Sequence, residues 1–110
     1  MDAQFAVRCT IGLVRMCGDL DAGARVEAFD ACCNCTGSAV VLDLSELTFL
    51  DTQGYTSIVD ATRVLKSEGR TLTIRGSRGE PLRLLTLLGV PGDIEVAVPR
   101  SSSRGWRSVA

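Results

Sequence analysis

The segment Ala39-Val40-Val41-Leu42-Asp43-Leu44 constrains the fold more than any other part of the chain. It is short, nearly continuous in apolar side chains and rich in β-branched residues. That composition is expected of a strand buried on both faces, the central strand of a sheet with parallel neighbours. Loop-forming residues Asn34 to Ser38 precede it and helical patterns lie on either side.

Upstream, two apolar runs, Phe5-Ala6-Val7 and Ile11 to Cys17, predict two strands of a hairpin, with Arg8-Cys9-Thr10 between them and Gly18-Asp19-Leu20-Asp21 ending the pattern. Ala22, Val26, Phe29 and Cys33 recur at the spacing of one helix face, so a first helix is expected from Ala22 to about Cys33, with Asp21 as its N-cap. After Ser45 to Leu50 comes Asp51-Thr52-Gln53-Gly54. A second amphipathic helix follows, with Tyr55, Ile58 or Val59, Thr62 and Leu65 on one face, Asp60, Arg63 and Lys66 on the other, and Gly69 as its stop.

Thr71 to Arg75 alternates as a strand. Ser77 and Glu80 then have capping-box spacing, and Pro81 is tolerated in the first turn of the helix they open. Leu82, Leu85 and Leu88 give that helix a stripe expected to be buried, Gly89 ends it, and Ile94, Val96 and Val98 alternate as a last strand. Residues 99–110 read as a loose polar tail. The pattern predicts one α/β domain over residues 1–110: a mixed, mostly parallel sheet of about five strands with an N-terminal hairpin and about three to four helices, joined by right-handed crossovers. Partners of such sheets meet the loops beyond the C-terminal strand ends, where Asp51 to Gly54 fall.

Composition narrows the chemistry. Twelve basic against thirteen acidic residues leave no field to attract nucleic acid. No apolar run reaches the roughly 20 residues of a membrane span, and the N-terminus lacks the pattern of a secretory signal, so the chain is expected to be cytoplasmic and not membrane-bound. Histidine is absent, which removes the commonest general base and metal ligand; no catalytic residue, cofactor or metal is expected. Five cysteines without an export signal read as reduced thiols. In the cluster Cys32, Cys33 and Cys35, Cys33 shares the apolar face of Phe29, and only Cys9 or Cys17 could complete a zinc set, so buried structural thiols are the expectation.

The order of these segments over about residues 11 to 98 resembles the STAS domain of anti-sigma factor antagonists. The most specific part is Val40 to Gly54, VVLDLSELTFLDTQG, which is similar to that family's strand and phosphorylation loop; Gly18 to Asp21 matches an earlier Gly-acid-Leu-Asp element. By position the resemblance makes Asp51 the family's aspartate, Thr52 its phosphoacceptor and Gly54 its helix-opening glycine. Gln53 and Tyr55 depart from the pattern, which usually has Ser or Thr and then Leu. Asp19, Asp21, Asp51, Gln53, Gly54 and Tyr55 become expected partner contacts. Independently of the resemblance, Asp51 can cap the helix, leaving Thr52 in a first turn whose unpaired N–H groups favour a phosphate.

The resemblance implies a binding module, not an enzyme: an antagonist that binds an anti-sigma factor of histidine-kinase-like ATPase fold, frees a sigma factor and is switched off by phosphorylation of Thr52. Two alternatives remain open at this stage, an accessory subunit of an ABC-type lipid transporter and a redox-sensing regulator on the same fold. Neither the sigma pathway nor the oligomeric state can be read from the sequence.

Overall fold

The structure, a computed structural model, describes residues 4–95. In chain order they form β1 (Ala6–Thr10), β2 (Leu13–Leu20), α1 (Arg25–Asn34), β3 (Ala39–Leu50), α2 (Thr52–Ser67), β4 (Thr71–Arg75), α3 (Gly79–Leu88) and β5 (Asp93–Glu95). The five strands lie in sequence order in one sheet, β1 antiparallel to β2 and every later pair parallel. This is the expected mixed sheet, with three helices among the described residues.

The hairpin turns at Ile11-Gly12, not at Arg8-Cys9-Thr10. Thr10 pairs with Leu13 across a two-residue turn in which Gly12 has φ +73° and Ile11 is 87% exposed. Glycine meets the need for positive φ in such a turn, and this outweighs the apolar character of Ile11. Nor does Gly18-Asp19-Leu20 end β2: the strand runs through it to Leu20, with register shifts against β3 at Arg15/Cys17 and Gly18/Asp19. The inward alternation carries through, with Val14, Met16, Gly18 and Leu20 all buried, and the register shifts are taken up by extra residues of β3.

Val14 and Met16 of β2, Leu42 and Leu44 of β3, and Leu72 and Ile74 of β4 share one core with Ala28 and Cys32 of α1, Ile58, Ala61 and Leu65 of α2, and Leu85 of α3. Full burial of each large aliphatic side chain contributes roughly 1.5–3 kcal/mol. The other face of β3 is sealed differently. Val41 is half-buried there, and Asp43, also on that face, lies 3.4 Å from Arg15 of β2 and 4.0 Å from Arg75 of β4. The expectation of burial on both faces thus holds for the helix-facing side, while on the reverse side an ion-paired carboxylate takes the place of apolar packing. Burial alone would raise the Asp43 carboxyl; hydrogen bonds from Ser45 and the charges of Arg15 and Arg75 outweigh it and hold the group below the usual carboxylate range.

Helix α1 begins three residues later than expected, with Ala24 as N-cap and no side-chain cap. The Asp21 carboxylate instead accepts from the Gly23 N–H at 3.0 Å within the preceding turn. Its buried positions are Ala24, Ala28 and Cys32, whereas Val26 is 63% exposed and Phe29 and Cys33 are only partly covered. The small side chains face the core and the larger ones flank the contact. Helix α3 also departs from expectation. Arg78 is its N-cap, without a side-chain hydrogen bond, so Ser77 lies one residue too early for a capping box, and its buried hydroxyl has no hydrogen-bond partner among the described residues. Pro81 and Leu85 are its buried residues, Leu82 is half-buried and Leu88 is 48% exposed. Of the last strand only Ile94 falls within β5; Val96, Val98 and the tail lie outside the described residues.

Candidate partner surface at the start of the second helix

Strands β2 and β3 end side by side, Leu20 paired with Leu50, and the Asp51 N–H donates to the Leu20 carbonyl at 3.3 Å. Asp51 is the N-cap of α2, extended at φ −103° and ψ −177°, and its carboxylate accepts from the Gly54 N–H at 2.8 Å. The expected cap is therefore present. It satisfies one of the orphan donors of the first turn and contributes about 1 kcal/mol.

Thr52 is the first residue of α2, and its side chain is exposed. Its backbone carbonyl accepts the Thr56 hydroxyl at 2.8 Å. Gly54 is buried for a steric reason. A Cβ there would stand 2.4 Å from the Leu20 carbonyl oxygen and 2.9 Å from Leu50 Cδ1, so the first turn can rest on the strand ends only without a side chain. Tyr55 is half-buried, and its hydroxyl donates to the carbonyls of Leu88, at 3.2 Å, and Gly89, linking the start of α2 to the end of α3.

Gln53 is exposed, and its amide oxygen accepts from Arg25 Nη1 at 2.8 Å, joining the first turns of α1 and α2. Arg25, Val26 and Phe29 of α1 and Thr56, Ser57 and Asp60 of α2 line a groove between the two helices. A second hollow, bordered by Asp19, Asp21 and Glu27 together with Gln4 and Phe5, lies on the other side of α1. The Asp19 carboxylate accepts from the Thr48 hydroxyl at 3.1 Å. The structure thus gathers Asp51, Thr52, Gln53, Gly54 and Tyr55 at one helix start, and sets Asp19 and Asp21 in the neighbouring acidic hollow. Arg25, Val26 and Thr48 were not among the expected site residues. Arg25 meets Gln53 from 28 positions away, a contact that no local motif announces.

The thiols form no such surface. Cys9 Sγ reaches the Ala31 carbonyl at 3.8 Å and Cys35 Sγ the Thr10 carbonyl at 3.4 Å, where β1 meets the end of α1. Burial, with the neighbouring thiols Cys33, Cys9 and Cys35, pushes Cys32 up to about 12; burial also raises Cys9 and Cys33. Cys32 and Cys35 are the buried members of the cluster, while the expected core thiol, Cys33, is only half-buried. No group of three or more His, Cys, Asp or Glu residues among those described is arranged to hold a metal ion. No described helix is long and apolar enough to cross a membrane.

Comparison with known proteins agrees with this architecture. No curated protein sequence matches the chain significantly. The anti-sigma factor antagonist SpoIIAA in its unphosphorylated form superposes with a TM-score of 0.67 at 15% identity, over 97% of this chain and 99% of that one. The phosphorylated form of SpoIIAA, a Bacillus cell fate determinant, gives 0.59 at 15% identity, over 97% and 100%. A candidate anti-sigma factor antagonist of Thermotoga maritima gives 0.64 at 18% identity, over 94% of each chain. These likenesses establish the fold. The sequence profile of the STAS domain matches residues 3–101, nearly the whole chain, and the protein belongs to the STAS domain family.

Proposed function

We propose that this STAS protein is an anti-sigma factor antagonist: it binds an anti-sigma factor through the surface around the start of α2, so releasing a sigma factor, and loses that affinity when Thr52 is phosphorylated. The observation that carries the reading is the placement of Thr52, an exposed hydroxyl on the first residue of a helix whose start is fixed by the Asp51 cap and the close seating of Gly54. A rigid scaffold holding an exposed loop suits recognition. Phosphate on this hydroxyl would add a charge of about −1.5 to −2 and three acceptor oxygens to the contact surface.

In this reading the chain is ligand and substrate, and the ATP, metal ion and general base belong to an anti-sigma factor with a histidine-kinase-like ATPase fold. The structural likeness to SpoIIAA, described in both unphosphorylated and phosphorylated forms, supports such a switch. The raised thiols are poor nucleophiles at neutral pH, which favours this reading over a redox sensor. The test is incubation of wild type and Thr52→Ala with the cognate anti-sigma factor and ATP, followed by mass spectrometry. Phosphate on Thr52 in wild type and none in the variant is the expected result. Modification at Ser45, Thr56 or elsewhere would place the switch on another residue, and autophosphorylation without any kinase would contradict the assignment as a binding module.

A further inference from the structure

Gln53 stands where the family usually carries a small hydroxyl residue, and its amide oxygen holds the guanidinium of Arg25 at 2.8 Å, next to the candidate phosphoacceptor. Among the described residues Arg25 is engaged by this neutral amide and by no carboxylate. Asp60 lines the same groove but lies outside ion-pair distance of it. Thr56, which also lines the groove, lies one turn beyond Thr52 in α2, and residues four apart share a helix face, so Thr52 falls on the side of α2 that borders the groove.

We propose that Arg25 is the counter-ion of phosphorylated Thr52, kept beside the acceptor by Gln53 until the phosphate arrives. The inference rests on Thr52 being the residue phosphorylated. Transfer forms an Oγ1–P bond, breaks the bond between the γ-phosphoryl group and ADP, and gives the hydroxyl proton to a base of the kinase. A guanidinium bonded to a neutral amide then finds a dianionic acceptor within the same helical turn. Charge-assisted hydrogen bonds to phosphate are roughly twice as strong as neutral ones and can be bidentate, so the guanidinium exchanges Gln53 for the phosphate oxygens. The exchange ties the first turn of α1 to the first turn of α2 through an ion pair and draws the charged side chain across the groove bordered by Val26 and Phe29. Phosphorylation thus changes the partner surface twice, by adding negative charge and by redirecting the cation at its edge.

The test does not depend on any kinase. Phosphothreonine is installed at position 52 during synthesis of the full chain, and the second ionisation of its phosphate is followed by phosphorus NMR as a function of pH in wild type, Arg25→Gln, Arg25→Lys and Gln53→Ala. The helix start, Asp51 and Asp60 are common to all four, so differences report the guanidinium. Arg25→Gln is expected to raise the phosphate pKa by roughly 0.5 unit, the size suited to an exposed opposite charge. Arg25→Lys should recover part of the shift and Gln53→Ala should leave the wild-type value. Equal titration in wild type and Arg25→Gln, with both proteins folded by their amide spectra, overturns the proposal; so does a shift on Gln53→Ala as large as that on Arg25→Gln. A kinase reaction that modifies another residue would defeat the functional reading without altering this titration.

Discussion

Replacing Gly54 by alanine would put a Cβ 2.4 Å from the Leu20 carbonyl oxygen, 2.7 Å from Leu20 Cγ and 2.9 Å from Leu50 Cδ1. Two of these atoms belong to side chains with some freedom. The third is backbone at the end of β2, and its carbonyl also accepts the Asp51 N–H. Relief therefore requires the first turn of α2 to lift from the strand ends. Overpacking of this kind costs about 1–3 kcal/mol. Loss of the cap bond between Asp51 and the Gly54 N–H adds up to about 1 kcal/mol, while the better helix propensity of alanine returns at most about 1 kcal/mol. The net expectation is a loss of about 2 kcal/mol, which for a domain of this size lowers Tm by about 8–16 °C. Thermal unfolding followed by circular dichroism reads it directly. An unchanged or higher Tm for Gly54→Ala would refute the argument that close packing, and not motif convention, requires glycine here.

Three further outcomes follow from the same geometry. Asp51→Ala should cost about 1 kcal/mol in urea unfolding and Asp51→Asn only a fraction of that, since asparagine also caps; equal losses would show that the cap is not what aspartate contributes. Asp43 has a depressed carboxyl, so its stabilisation is complete above the unfolded value of about 3.9 and is lost as pH falls through the lower folded value. The stability gap between wild type and Asp43→Asn should therefore narrow on acidification from about pH 5 to pH 2, and a gap constant over that range would contradict the ion-pair assignment. With Cys32 pushed up to about 12, iodoacetamide at pH 8 should label it far more slowly in the native protein than in urea, and reductant should leave Tm unchanged; fast native labelling of Cys32 would mean that the buried cluster is open.

The sequence was informative where periodicity and backbone chemistry agree. The apolar run Val40 to Leu44 marked the central strand, and the Asp51 cap with Ile58, Thr62 and Leu65 on one face marked α2. Readings failed where packing rather than hydrophobicity set the pattern. Ile11 reads as strand yet sits in the hairpin turn, because the need for a glycine at position 12 fixes where the chain reverses. In α1 the core contact is made by Ala24, Ala28 and Cys32, residues whose small size carries little signal, and the more hydrophobic Val26 is left at the edge of a groove. Ser77 and Glu80 match a capping box in spacing, but the helix starts one residue out of phase with them. Asp51 and Thr52 lie where the motif placed them, at the start of α2, whereas the Arg25–Gln53 link joins residues brought together only by the packing of α1 against α2.

In the proposed function one exposed hydroxyl at the start of α2, that of Thr52, governs partner binding. Calorimetric titration of the cognate anti-sigma factor with unphosphorylated protein and with protein carrying phosphothreonine at position 52 tests it most directly. The first should bind tightly, and the second should lose at least about tenfold in affinity, or about 1.4 kcal/mol. Equal affinities for the two forms would contradict it.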